Sequence, residues 1–403
     1  MIDFDFKTYT KEFITDQELN KYLDNTVNIQ KYLSETNMMG WYKIDQLFNQ
    51  ELINDILQTA TYIRDNCEVF LVVGIGGSYL GAFSVIEALQ PYFYNQQKKP
   101  EIYFVGTSLS SGYYNDLINL IKDKDIMVNV ISKSGTTLEP AIGYELILNF
   151  MKEKYSDEEL SKRIIVTTDE NKGELRKEVN QKGYKSFIIP DDIGGRYSVF
   201  SPVGLLPIAV AGINIQDLYI GAKESFSKLD KAIEYAAIRK IMYDKGKDME
   251  AFVVYEPKLY GFTEWLKQLY GESLGKNNQG IMPISLINTR DLHSLGQYLQ
   301  EGKKIVFETV INIENTNNPI YIDSYQKTLD EINEIVSLAT SKAHFNGNVL
   351  NNIITIDQLN EKTLGCMLQF FMISCAISGY FERVNAFDQP GVEEYKKIAK
   401  ELL

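Results

Sequence analysis

From residue 68 onward, short apolar runs alternate with longer amphipathic stretches. The runs at 68–74, 101–106, 126–131, 163–168 and 186–189 read as buried strands, and most of the stretches between them carry helical spacing. Strands that alternate with helices predict a parallel sheet covered on both faces. A long helical stretch at 215–245 interrupts this alternation. It then resumes with candidate strands at Ala251–Tyr255, Ile281–Ile287, Ile305–Ile313 and Val349–Ile356, and a last helix runs from Val392 to the end. The pattern predicts an α/β protein with two domains in sequence, divided near residue 214.

Ahead of the first strand, residues 1–45 read as polar and helical, an arm rather than a domain. Thr15-Asp16-Gln17-Glu18 fits a capping box, with Leu19, Tyr22 and Leu23 on one face after it. Leu52, Ile53, Ile56, Leu57, Ala60 and Ile63 mark a second amphipathic helix. The expected division is an arm at 1–45, α/β domains at 46–214 and 215–385, and a C-terminal loop and helix at 386–403.

Composition narrows the function classes. The 403 residues are 44% hydrophobic, enough for sizeable cores, which excludes a disordered chain or a small disulfide scaffold. The net charge of −13 argues against a general nucleic-acid binder, while a local pocket can still take a small anion. The three cysteines, Cys67, Cys366 and Cys375, form no zinc pattern or redox pair and suit a reducing compartment. The first residues are acidic and lack an apolar signal core. Gly365–Phe381 and Val203–Ile213 are the longest weakly polar runs and read as buried helices rather than membrane spans. A soluble, cytoplasmic protein is expected.

Five loops carry candidate chemistry. Gly74-Ile75-Gly76-Gly77-Ser78-Tyr79 follows the first strand. It lacks the last glycine of a dinucleotide fingerprint and is no NTP-binding P-loop, so it suits either a small phosphate or an ordinary strand-to-helix turn. Ser132-Lys133-Ser134-Gly135-Thr136-Thr137 follows the third strand. Its four hydroxyls, one ammonium and one glycine, opening onto a helix, meet the needs of a phosphate dianion, whereas capping alone needs one hydroxyl. Both loops lie at carboxyl ends of parallel strands, where open α/β sheets bind ligands. In Gly194-Gly195-Arg196-Tyr197-Ser198, paired glycines allow tight placement of Arg196, whose guanidinium suits a phosphate, an oxyanion or a surface ion pair. Glu272 ends a helix, and a lone glutamate there is ordinarily solvated. Of the two histidines, His344 reads as structural. His293 sits in a polar turn, where an imidazole can serve acid–base work. Pro390-Gly391 opens the last helix, on which Lys396 alone reads as a solvated residue.

Taken together, these motifs resemble the glucose-6-phosphate isomerase (phosphoglucose isomerase) family. The match runs in family order from the Gly76–Ser78 loop to Lys396. It is most specific at Gly194-Gly195-Arg196-Tyr197-Ser198 and at Phe387-Asp388-Gln389-Pro390-Gly391-Val392-Glu393. The length, and Pro390 where longer members often carry tryptophan, resemble the compact bacterial form. The resemblance implies two SIS-type domains, each a mainly parallel sheet flanked by helices. It also implies isomerisation of glucose 6-phosphate to fructose 6-phosphate through a cis-enediol(ate), in glycolysis and gluconeogenesis, with no metal, nucleotide or other cofactor.

By the same resemblance, Ser132, Ser134 and Thr137 are the phosphate-binding hydroxyls, with Gly77, Ser78 and Lys133 beside them. Glu272 is the base that moves the proton between C2 and C1, and Arg196, with the Gly195 backbone, stabilises the enediolate. His293 and Lys396 open the ring, and Gln389 contacts the sugar. The expected partners are a sugar phosphate and a second copy of the chain, a homodimer in which His293 crosses the interface, with neither nucleic acid nor membrane. Three alternatives stay open on sequence alone: an isomerase of another hexose 6-phosphate, a non-catalytic phosphosugar-binding SIS protein, and a nucleotide-dependent dehydrogenase, which the broken glycine fingerprint disfavours.

Overall fold

The computed structural model describes residues 2–316 and 318–403. The chain divides into two compact units, Asn37–Tyr219 and a second built from Met1–Thr36 with Ile220–Leu403. The chain enters through a short strand, β1 (Ile2–Asp5), which belongs to the sheet of the second unit.

Asn37–Tyr219 holds a five-stranded parallel sheet of β2 (Val69–Val73), β3 (Glu101–Val105), β4 (Ile126–Ile131), β5 (Ile164–Thr168) and β6 (Lys185–Ile188), in the order β3-β2-β4-β5-β6. Every residue of β2, β4 and β5 is buried. Their β-branched runs fit strands packed on both faces, as the sequence pattern predicts. Strand order reverses beside β2, so the loops after β2 and β4 open at the topological switch point, where such sheets leave a crevice. The Pro202–Val210 helix is buried throughout and packs with the Gln50–Asn66 helix and the Leu80–Leu89 helix.

In the other unit, β7 (Met249–Val254), β8 (Met282–Ile287), β9 (Val306–Asn315), the hairpin β10 (Tyr321–Ile322) and β11 (Lys327–Thr328), and β12 (Asn351–Gln358) come in turn. The sheet order is β1-β12-β9-β7-β8, parallel except for β1. The Glu361–Glu382 helix meets the length and apolarity of a membrane span, but 89% of its apolar window is buried in the fold, and it forms the core of the unit. Arg239 and Glu250 pair at 2.6 Å with both side chains fully buried. Glu250 also accepts from Tyr235 and, at 2.7 Å, from Thr309, so the buried carboxylate is well satisfied. The Arg239 guanidinium lies 4.1 Å over the ring of Tyr270, whose hydroxyl bonds Ser374 at 2.6 Å.

Two expectations differ from this architecture. Residues 2–36 do not stand apart as an arm. Ile2 and Phe4 are buried, and β1 pairs with β12 (Ile2 opposite Ile356), so alternation rather than helix governs the first residues. The boundary falls after Tyr219, not near 214, inside the Ile215–Glu224 helix. The Thr15 capping box forms as expected.

Candidate active site

In the Asn37–Tyr219 unit, three of the five loops converge. The β2 loop turns through Gly76–Ser78, and the β4 loop leads into the Leu138–Lys154 helix. Register sets them side by side, with Val73 opposite Val130. Between them opens a cavity of about 630 Å³ lined by Ser78, Ser132, Lys133, Ser134 and Thr137. Ser132 Oγ accepts the Gly135 N–H at 3.0 Å, and Ser134 Oγ accepts the Thr136 N–H at 3.2 Å. Thr137 is the N-cap of the helix, but its hydroxyl makes no capping bond. The N-terminus of that helix borders the cavity at Thr137 and Pro140, and the positive end of its dipole suits an anion there. The ammonium of Lys133 is engaged at 3.0 Å by Asp191.

The third loop is clamped to the first. A Cβ at Gly77 would lie 2.2 Å from the carbonyl carbon and oxygen of Gly195, so only glycine permits this approach. Ser198 Oγ donates to the Gly195 carbonyl at 2.7 Å and to the Gly77 carbonyl at 3.4 Å. Tyr197 stacks on Trp41 at 4.8 Å, both fully buried, and the Gly40 N–H donates to the Asp192 carbonyl. The turn that carries Arg196 is thus fixed from both sides. The guanidinium itself belongs to a residue only 5% exposed, so it is a placed group rather than a surface one.

Sequence reasoning passed over Asp169, which lines the same cavity. It is buried, and Oδ1 accepts the N–H groups of Asn171 (2.9 Å) and Lys172 (3.0 Å). The bond from Asn171, backed by Lys172, holds its carboxyl below the usual range. The available signal was an aspartate at a strand's carboxyl end followed by Asn171, Lys172 and Gly173, a turn composition at a ligand-binding edge.

The remaining site residues lie in the other unit. Glu272 occupies the last turn of the Tyr260–Leu274 helix, half-buried, and accepts from Gln268 Nε2 at 3.3 Å. Buried Tyr270 and Leu274 on either side fix the helix end. Four residues after Glu272, the Lys276 ammonium donates to the carbonyls of Asn385 and Asp388 and pairs with Asp388 Oδ1 at 2.7 Å. This brings the loop that precedes Gln389 to the end of the Glu272 helix. Lys396 pairs with Glu393 at 2.9 Å on a helix, Glu393–Leu402, that has no buried residue.

His293 stands elsewhere. The Glu272 helix runs antiparallel to β8, with Glu264 accepting from Ser285 at 2.9 Å and Gly271 facing Pro283 near the strand's start. His293 lies beyond the strand's other end, in the turn Arg290–His293, where Asp291 accepts the Ile287 N–H at 2.7 Å. β8 has six residues, about 20 Å at ~3.3 Å per residue, and it lies between the helix end that carries Glu272 and the turn that carries His293. The His293 side chain is exposed and makes no hydrogen bond or ion pair among the described residues. His344, by contrast, is buried and bonded to Glu308 at 2.9 Å, the structural role expected of it.

A family model described as phosphoglucose isomerase matches residues 56–330. A glucose-6-phosphate isomerase from Staphylococcus haemolyticus is 44% identical over 415 residues, covering 97% of this chain and 94% of its own length. One from Staphylococcus aureus strain Newman is 44% identical over 425 residues, covering 100% and 96%. Among solved structures, a hypothetical protein from Thermus thermophilus superposes with a TM-score of 0.88 at 24% identity, covering 100% of this chain and 99% of that one. A glucose-6-phosphate isomerase from Chlamydia trachomatis gives 0.80 at 20% identity, covering 96% and 86%. These two structural likenesses speak for the fold.

Proposed function

The chain belongs to the phosphoglucose isomerase family, and from that premise we propose how its own residues divide the reversible interconversion of glucose 6-phosphate and fructose 6-phosphate. Ser132, Ser134 and Thr137, with Ser78, Lys133 and the Gly77 backbone, hold the phosphate, which is remote from the reacting carbons. The energy of that grip orients C1 and C2. His293 and Lys396 open the ring: one donates a proton to the ring oxygen while the other accepts the C1 hydroxyl proton, and Gln389 contacts the sugar. Glu272 then takes the proton from C2 of the open aldose and returns it to C1. Electrons move onto oxygen as the enediolate forms. Arg196, held beside the Gly195 backbone, stabilises that charge, a contribution of roughly 3–4 kcal/mol for one fixed donor.

The chain acts as a homodimer in the cytoplasm, each subunit lending His293 to the partner subunit's Glu272. The observation that carries this shared site is that Glu272 and His293 belong to segments at opposite ends of β8, with the His293 ring exposed. Leu295 and Tyr298, just past His293, are apolar and more than two-fifths exposed, as an interface would need. Three free, buried cysteines suit a reducing compartment.

Subunit mixing tests the assignment. Glu272→Gln and His293→Ala are each purified inactive, mixed, unfolded gently and reassociated. A site built from two chains restores one intact site in each mixed dimer, about a quarter of native activity at statistical mixing. Activity no greater than the sum of the parents would overturn the shared site.

A further inference from the structure

We infer that Lys276 is a positioning residue of this reaction, holding the Glu272 helix end and the Gln389 loop in one fixed relation. The inference rests on the roles proposed above for Glu272, Gln389 and Lys396. The side chain of Lys276 is only 9% exposed, although it lies just past the end of a helix, where a lysine ordinarily extends into water. All three of its N–H bonds have an acceptor: the Asn385 carbonyl, the Asp388 carbonyl at 2.9 Å and Asp388 Oδ1 at 2.7 Å. Asp388 is itself tied back by Asn385 Nδ2 at 2.9 Å, and Asn385 Oδ1 takes the Phe387 N–H at 3.0 Å. The ammonium therefore closes the 385–388 turn from outside.

The tether matters because of the segment that this turn launches. Gln389 comes next, then Pro390–Val392, then the Glu393–Leu402 helix bearing Lys396. No residue of that helix is buried, so its direction depends on the turn it leaves from. On the other side, Lys276 comes four residues after Glu272, across the C-cap at Gly275. One ammonium thus links the segment that removes the carbon-bound proton to the segment that contacts and opens the sugar. Catalytic rates are sensitive to such registration, and a 1 Å misplacement costs on the order of 100-fold. Lys276 itself touches no reacting atom in this scheme.

The test is Lys276→Met, with Asp388→Asn and the double substitution. Asp388 is 53% exposed and keeps its bond from Asn385 Nδ2, so losing the ammonium costs its carboxylate little and the Met variant is expected to fold. The expected result is a kcat lowered about 30- to 100-fold, with KM for fructose 6-phosphate and the affinity for inorganic phosphate changed less than about threefold. The double variant should be no worse than Lys276→Met, because in the Met background position 388 no longer has an ammonium to bond. A Lys276→Met enzyme with native kcat, or losses that multiply in the double variant, would overturn the inference. So would a loss confined to phosphate affinity. If the Met variant does not fold, Lys276→Gln, which keeps two donors and loses the charge and one bond, decides in its place: lowered kcat at unchanged phosphate affinity supports the tether, and native kcat refutes it. Failure of the underlying reading is distinguishable, since it shows as a native kcat in Gln389→Ala and Lys396→Ala.

Discussion

Substituting Gly77 by alanine puts a methyl group into one of the closest backbone contacts of the Asn37–Tyr219 unit. The added carbon would lie 2.2 Å from the Gly195 carbonyl atoms and 2.7 Å from its Cα. A comfortable carbon contact is about 3.5 Å, so the two loops must part by roughly 1 Å. Neither neighbour is a flexible side chain that can swing aside. The Gly195 carbonyl is held by Ser198, and the next residues, Arg196 and Tyr197, are locked by burial and by stacking on Trp41. The strain divides between an overpacking cost of about 1–3 kcal/mol and a displacement of the Arg196 turn. If Arg196 stabilises the enediolate, a shift of that size lowers kcat/KM by about 100-fold, equivalent to roughly 2.7 kcal/mol of barrier.

The assay is the coupled conversion of fructose 6-phosphate, run beside thermal unfolding. Gly112→Ala is the matched control: its nearest neighbour would be Ser110 Oγ at 3.6 Å, within a helix. It should keep full turnover and gain slightly in stability. A Gly77→Ala enzyme with native kcat/KM would show that the clamp between the two loops does not set the position of Arg196.

Two further outcomes are expected from the site and the core. Glu272→Gln should bind fructose 6-phosphate within about threefold of the native enzyme while turnover falls by about 1,000-fold or more, and deuterium from solvent should no longer enter C1 or C2; exchange at the native rate would remove Glu272 as the base. Burial pushes the thiols of Cys67 and Cys366 up to about 12, so at pH 8 a thiol reagent should titrate neither until the protein unfolds, and rapid native-state labelling of either would contradict the packing.

Much of the architecture was legible because burial on both faces leaves a plain trace. Val69–Val73 and Ile126–Ile131 are unbroken apolar runs, and the strands stand within a residue or two of where those runs lie. β1 escaped for the opposite reason: Ile2-Asp3-Phe4-Asp5 is four residues of strict alternation at an edge, and its partner lies at the far end of the chain. That Ser132, Lys133 and Ser134 line a cavity was readable, since hydroxyls crowd there beyond any capping need. That Lys133 is engaged by Asp191 was not readable, because the pairing joins residues 58 positions apart. The tether at Lys276 was equally hidden. A lysine after a helix is ordinary in composition, and only the fold brings 385–388 within its reach.

The pairing of β1 with β12 also governs how the molecule can be made. A ribosome delivers Asn37–Tyr219 as one continuous stretch, able to condense as soon as it clears the exit tunnel. The companion half is split in sequence, and Ile2 must wait for Ile356 before its edge is sealed. Throughout that interval the greasy side chains of Ile2, Phe4 and Phe6 have no permanent home. Nascent-chain crowding and chaperone occupancy should therefore weigh on one half of this enzyme far more than on the other.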